Sequence, residues 1–146
     1  MTSDGGKPGR FENPGVEERC ALLKRVKTIA VVGLSPNPTR PSYGVSQAMQ
    51  GFGYRIIPVH PTASEVLGAR AYRMLKEIPE QIDLVNVFRR PEFIDQVVDE
   101  CLELGLKNLW IQEGIVNEPA ALRAVKAGVT VVMDRCIYRD YVAYCA

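Results

Sequence analysis

TIAVVG, residues 28–33, decides the fold. Ile29 to Val32 is an unbroken apolar run, mostly β-branched, with no polar residue in alternation. A half-exposed strand alternates; this one is buried on both faces, as when helices cover a parallel sheet from either side. Working outward, residues 34–43 are a loop rich in Ser, Pro and Asn. Val45, Ala48, Met49 and Phe52 then form a helical stripe that Gly53 stops. YRIIPV (54–59) is a second strand, whose Pro58 has no amide to donate and belongs at a strand end or a break in pairing. Upstream, Asn13-Pro14 predicts a helix start, with Val16, Cys20, Leu23 and Val26 following at helical spacing. Residues 1–12 are Gly-rich and aperiodic and read as a flexible tail.

The alternation continues. Residues 67–72 predict a turn and a short third strand, and residues 74–78 a short helix ended by Pro79. DLVNVF (83–88) is a fourth strand, and Ile94, Val97, Val98, Cys101 and Leu102 a helix stripe ended by Gly105. NLWIQ (108–112) is a fifth strand. Asn117 caps a helix bearing Leu122 and Val125, VTVVM (129–133) is the last strand, and residues 136–146 add a short terminal turn. The fold class is α/β: one domain, residues 13–146, with a doubly wound parallel sheet of five to six strands, helices on both faces and right-handed crossovers.

The formal net charge of +1 gives no global field to attract nucleic acid or an anionic membrane. No apolar run reaches the ~20 residues of a membrane span, and MTSDGGKPGR lacks the apolar centre of a signal peptide. These features predict a cytoplasmic protein whose thiols are reduced. Cys20 and Cys101 fall on apolar helix stripes as small buried hydrophobes, and Cys145 lies at a frayed end; Cys136, after the last strand, is either an inert thiol closing the sheet rim or a thiolate favoured by neighbouring Arg135 at the ligand-binding rim.

Ligands of such sheets bind beyond the carboxyl ends of the strands, where strand order reverses. That rule selects four loops. In GLSPNPTRPSYG (33–44), Gly33 allows a sharp turn, Ser35 and Ser42 bring hydroxyls, Arg40 a fixed charge, and the next helix its N-terminal amides. A phosphate cradle and a plain Pro-rich connection fit these residues equally; neither G-x-G-x-x-G nor a Walker loop is present. The second loop opens Val59-His60-Pro61, with no acid before Glu65 to hold a ribose, which opposes NAD. His60, the only histidine, reads as a ring beside the sheet rather than a catalyst. Phe88-Arg89-Arg90-Pro91 carries a pair of arginines that could fork onto phosphate. Gln112-Glu113-Gly114 offers polar groups and close approach. After the last strand, Asp134 and Arg135 pair with each other or cap the sheet. Asp99 and Glu100, adjacent on a helix, do not share a face and lie on its solvated side.

These stretches resemble the small stand-alone coenzyme-A-binding domain proteins, themselves similar to the N-terminal domain of the succinyl-CoA synthetase α subunit and to ADP-forming acyl-CoA synthetases. The resemblance rests on TIAVVGLSPNPTRPSYGV, GYRIIPVHP, VLGARAY, IDLVNVFRRPE, LWIQEGIVNE and VTVVMDRC, in this order, over about residues 25–136. It implies a Rossmann-like sheet holding coenzyme A. It sets the nucleotide and pyrophosphate at Gly33, Leu34, Ser35, Arg40, Ser42 and Tyr43, and the adenosine end by Val59, His60 and Pro61. Arg89, with Gln112, Glu113 and Gly114, would border the same groove, and Arg90 could add charge. The synthetases carry a lysine shortly after the second-strand proline; here Thr62-Ala63-Ser64 follows Pro61. They also need a second domain with a phosphorylated histidine, for which this chain ends too early.

The resulting expectation is a non-catalytic module for coenzyme A or acyl-CoA, with no catalytic constellation, no metal, no nucleic acid or membrane partner, and no protein partner named by the residues. The alternatives are an NAD-dependent oxidoreductase and a regulatory subunit with a vestigial nucleotide pocket.

Overall fold

A computed structural model describes residues 10–146. Helix α1 (Val16–Arg25) leads into β1 (Thr28–Val32), α2 (Pro41–Gly51) and β2 (Arg55–Val59). A small hairpin follows, β3 (Glu65–Val66) and β4 (Ala69–Arg70), then a 3-10 turn at Leu75–Glu77. The second half runs β5 (Leu84–Val87), α3 (Ile94–Leu104), β6 (Asn108–Ile111), α4 (Glu118–Lys126), β7 (Thr130–Met133) and α5 (Ile137–Asp140), which continues as a π-helical turn, Tyr141–Cys145. The sheet is five parallel strands in the order β2-β1-β5-β6-β7. Strand order reverses between β1 and β5, so the loops leaving these strands diverge and open a crevice between them.

The two-residue period of the strands divides the core. Ala30, Val32, Val85, Val87, Leu109 and Ile111 face α3 and α4. Ile29, Val31, Leu84, Trp110 and Val132 face α1, α2 and the C-terminal helix. Each fully buried Val, Leu or Ile among them contributes about 1.5–3 kcal/mol. Trp110 is fully buried and keeps its indole N–H satisfied by donating to the Arg135 carbonyl at 2.8 Å.

Several local expectations are revised. The first helix begins at Val16, and Asn13 does not cap it. Its carboxamide instead faces β7: Oδ1 accepts from the Met133 N–H at 2.8 Å and Nδ2 donates to the Met133 carbonyl at 2.9 Å. Of the expected flexible tail, residues 1–9 lie outside the described residues, whereas Phe11 packs on the core and its N–H donates to Glu118 Oε2 at 2.8 Å. Residues 67–72 add no strand to the main sheet. They belong to the hairpin, whose Leu67-Gly68 turn has φ of 54° and 75°, the left-handed pair that a tight two-residue hairpin needs.

The C-terminus is not frayed. Cys145 and Cys20 form a disulfide across 125 residues of sequence, so neither is a free thiol. Cys101 and Cys136 are free and buried. Nor do Asp134 and Arg135 pair with each other. Asp134 accepts the Gly114 N–H at 2.7 Å, and Arg135 binds Asp140. Buried Asp140 also accepts from Arg19 Nε at 2.8 Å, so one carboxylate ties the terminal helix both to α1 and to the loop that precedes it.

Candidate functional site

The loops at the carboxyl ends of the strands start in a fixed row. Gly33 N–H donates to the Val59 carbonyl (2.9 Å), Phe88 N–H to Val32 (2.8 Å), Gln112 N–H to Val87 (3.2 Å) and Asp134 N–H to Ile111 (2.9 Å). Above this row lies a cleft of about 1060 Å³, just above the usual range for ligand sites, roughly 300–1,000 Å³. Its floor depends on Gly33. The residue has φ of 88°, and a Cβ there would lie 2.5 Å from the Phe88 carbonyl oxygen. Only glycine lets the two diverging loops leave the sheet in contact.

The first loop braces itself. Ser35 N–H donates to Ser42 Oγ, Asn37 N–H to Ser35 Oγ, and Arg40 N–H to the Asn37 carbonyl, each at 3.0 Å. Both serine hydroxyls thus accept from the backbone and keep their own protons to donate. Arg40 sits at the N-cap of α2, with Pro41 at the first helical position, and both line the cleft. Leu34 and Tyr43 do not. Leu34 is fully buried in the core facing α1 and α2, and Tyr43 packs against that core. After the turn at Gly33 the apolar Leu34 side chain is buried with the strand's own residues.

His60 lines the cleft, but Nδ1 accepts from the Thr62 N–H at 3.1 Å and the Ala63 N–H at 2.9 Å, so the ring closes its own turn. Val59 and Pro61 form the adjoining wall. Arg89 lies over the Phe93 ring, 4.2 Å from its centroid, and makes no ion pair among the described residues. Arg90 is exposed and 3.8 Å from Glu92. Gln112 is buried on the floor, its Oε1 accepting the Ile137 N–H at 3.0 Å. Glu113 accepts twice from Arg139, at 2.6 and 2.7 Å. Gly114 has its N–H occupied by Asp134.

Twelve of the fourteen expected site residues therefore border one cleft. The sequence reading missed Arg139, which follows the last strand in what looked like a mere terminal turn, and Arg73 and Met74, which close the hairpin side. It also placed Glu100 on the solvated face of its helix. In the structure Asp99 is on that side, paired with Arg123 at 2.8 Å, while Glu100 is half-buried in the cleft wall. The helical stripe itself carried the signal: Glu100 follows Val97 by three residues. Burial first, then Glu103, raises the Glu100 pKa; Arg89 and Lys76 oppose the rise. Arg40, Arg73, Arg89, Arg90 and Arg139 against Glu100 and Glu113 leave the lining at +3, a local excess that the chain total of +1 conceals. Among the described residues no cluster could hold a metal ion, and no helix is long and apolar enough to cross a membrane.

The family model described as CoA binding domain matches residues 27–141. The chain belongs to that CoA binding domain family. The match spans all five sheet strands and the four loops around the cleft, so the family and Rossmann-like fold expected from the motifs both stand. The chain is 51% identical over 127 residues to the Bacillus subtilis protein YneT, covering 87% of this chain and 94% of that one. It is 31% identical over 120 residues to the α subunit of an ADP-forming acetate–CoA ligase II of Pyrococcus furiosus, covering 75% of this chain but only 26% of the subunit. A solved hypothetical protein from Pyrococcus horikoshii OT3 superposes with a TM-score of 0.88 at 30% identity, covering 99% of this chain and 100% of the other.

Proposed function

We propose that the protein binds coenzyme A or an acyl-CoA in this cleft, as a binding module without a reaction of its own. The observation that carries the reading is the arginine-rich cleft at the reversal point of the sheet, in a chain of this family. Coenzyme A carries roughly four negative charges, near two on its terminal phosphate and two on its pyrophosphate. A lining of +3, with serine hydroxyls and the start of α2 beside it, offsets most of them. Arg40, Arg89 and Arg73 supply charge where Thr62-Ala63-Ser64 offers none. The NAD alternative is disfavoured by the end of β2, where His60 is committed to its turn and no carboxylate stands ready for a ribose.

Thermal unfolding with coenzyme A, acetyl-CoA, NAD and ATP tests the reading. At one hundred times its Kd a ligand stabilises by about 2.7 kcal/mol, a shift of roughly 5–10 °C for a domain of this size. Coenzyme A is expected to give that shift. A shift with NAD and none with coenzyme A refutes the proposal.

A further inference from the structure

The cleft wall holds one carboxylate whose chemistry opposes its surroundings. Glu100 lines the cleft half-buried, yet it makes no ion pair or side-chain hydrogen bond among the described residues. The nearby cation, Arg89, spends its guanidinium on the face of Phe93. Glu113, the other acid of the lining, is fully engaged by Arg139. A carboxylate left partly desolvated and unpartnered is costly unless something else settles its charge.

We infer that Glu100 couples ligand binding to proton uptake, so that the protein draws protons from solvent as it takes its anionic ligand. The inference rests on the coenzyme A reading of the cleft. A polyanion entering beside Glu100 adds like charge, excludes more water from it, and draws Arg89 toward phosphate. All three favour the neutral acid.

The groups around Glu100 act in known directions. Glu103, one turn along α3, repels its charge, and burial adds to this, while Arg89 and Lys76 favour the charged form. On α4, Arg123 is held by Asp95 and Asp99, away from the cleft. Glu92, in the 3-10 turn before α3, lies nearest Arg90. The carboxyl is thus already shifted upward before any ligand arrives. Binding shifts it further in the same sense. Between the free and bound values, affinity weakens as pH rises; for a shift of up to about one unit the uptake peaks near half a proton and the total loss is at most about tenfold.

Calorimetry of the whole chain with coenzyme A, in buffers of differing ionisation enthalpy from pH 5.5 to 8, reads the proton directly. The wild type is expected to take up a fraction of a proton on binding and to bind more weakly at pH 8 than at pH 5.5. Glu100→Gln should lose that uptake and bind roughly three- to tenfold more tightly at pH 8, the equivalent of up to one pKa unit of like-charge repulsion. Glu103→Gln, altered outside the cleft, should keep the uptake. The ligand phosphates titrate in both proteins, so the difference between wild type and Glu100→Gln isolates the carboxylate. Equal uptake and equal affinity in the two overturn this inference while leaving the coenzyme A reading intact. No binding heat with coenzyme A in any variant overturns the reading and this inference with it.

Discussion

Gly33→Ala is the sharpest test of how the cleft is built. The substitution adds one methyl group. At φ of 88° that methyl strains the backbone of any L-residue, and it meets the Phe88 carbonyl oxygen at 2.5 Å and its carbon at 3.1 Å. The left-handed conformation costs roughly 1–2 kcal/mol, and overpacking against backbone costs about 1–3 kcal/mol more. Phe88 cannot yield cheaply, because its N–H is bonded to Val32 at 2.8 Å in the sheet. A total of about 2–5 kcal/mol corresponds to a melting temperature lower by roughly 5–20 °C. Relief requires β1 and β5 to part at their carboxyl ends, so coenzyme A affinity should fall as well. Gly44→Ala is the matched control: it lies within α2, and an added Cβ meets nothing within 4 Å. That change should be neutral or stabilise by about 0.5–1 kcal/mol. Circular dichroism melts of both variants decide the matter. A Gly33→Ala melting temperature within 2 °C (roughly 1 kcal/mol or less) of wild type would refute the argument that backbone contact at this point sets the cleft floor.

Arg40→Ala and Arg89→Ala should each weaken coenzyme A binding about tenfold or more, the usual cost of a lost charge-assisted contact of roughly 1.5–3 kcal/mol; isothermal titration of each against wild type checks this. Reducing the Cys20–Cys145 disulfide, which spans 125 residues, should lower stability by up to roughly 5 kcal/mol on the chain-entropy account, read as a drop in denaturant midpoint on adding a reductant. Tyr54 is pushed up to about 12, chiefly by burial and then by Tyr141. Its neutral form is favoured in the folded chain, so its contribution is complete below the ordinary tyrosine value near pH 10 and is lost as pH climbs toward 12. Absorbance at tyrosinate wavelengths should show one phenol ionising later than the rest, and Tyr54→Phe should remove that phase.

What could be read from the chain was local. The run at 29–32, the stripe at 94–102 and Asn117, whose Oδ1 does accept the Ala120 N–H, declare themselves within one turn or one strand. The rule that ligands sit beyond strand ends then located the loops. What stayed hidden depends on distant partners. Nothing near Cys145 announces Cys20, and nothing near Asn13 announces Met133. Arg139 lines the cleft from a helix whose Asp140 is held by Arg135 and, from far along the chain, by Arg19. Leu34 is the opposite case: its place in a loop beyond a strand end pointed to the cleft, while its own apolar character carries the side chain into the core.

The carboxamide of Asn13 has a consequence for self-association. β7 has a strand neighbour on one side only, and such a flank displays backbone groups on which a second copy could add a strand and begin a fibril. At Met133 the Asn13 side chain, with one donor and one acceptor spaced like a peptide, occupies that backbone pair from within the chain. On the opposite flank Tyr72 N–H donates to the Pro58 carbonyl, and Pro58 itself has no N–H to offer. Both ends of the ladder are thus capped near the cleft, where strands of a neighbouring molecule would otherwise dock. A sheet that cannot be lengthened there can keep Arg40, Arg73 and Arg89 on its ligand rim, without ion pairs among the described residues, and offer no open strand edge beside them to a second copy.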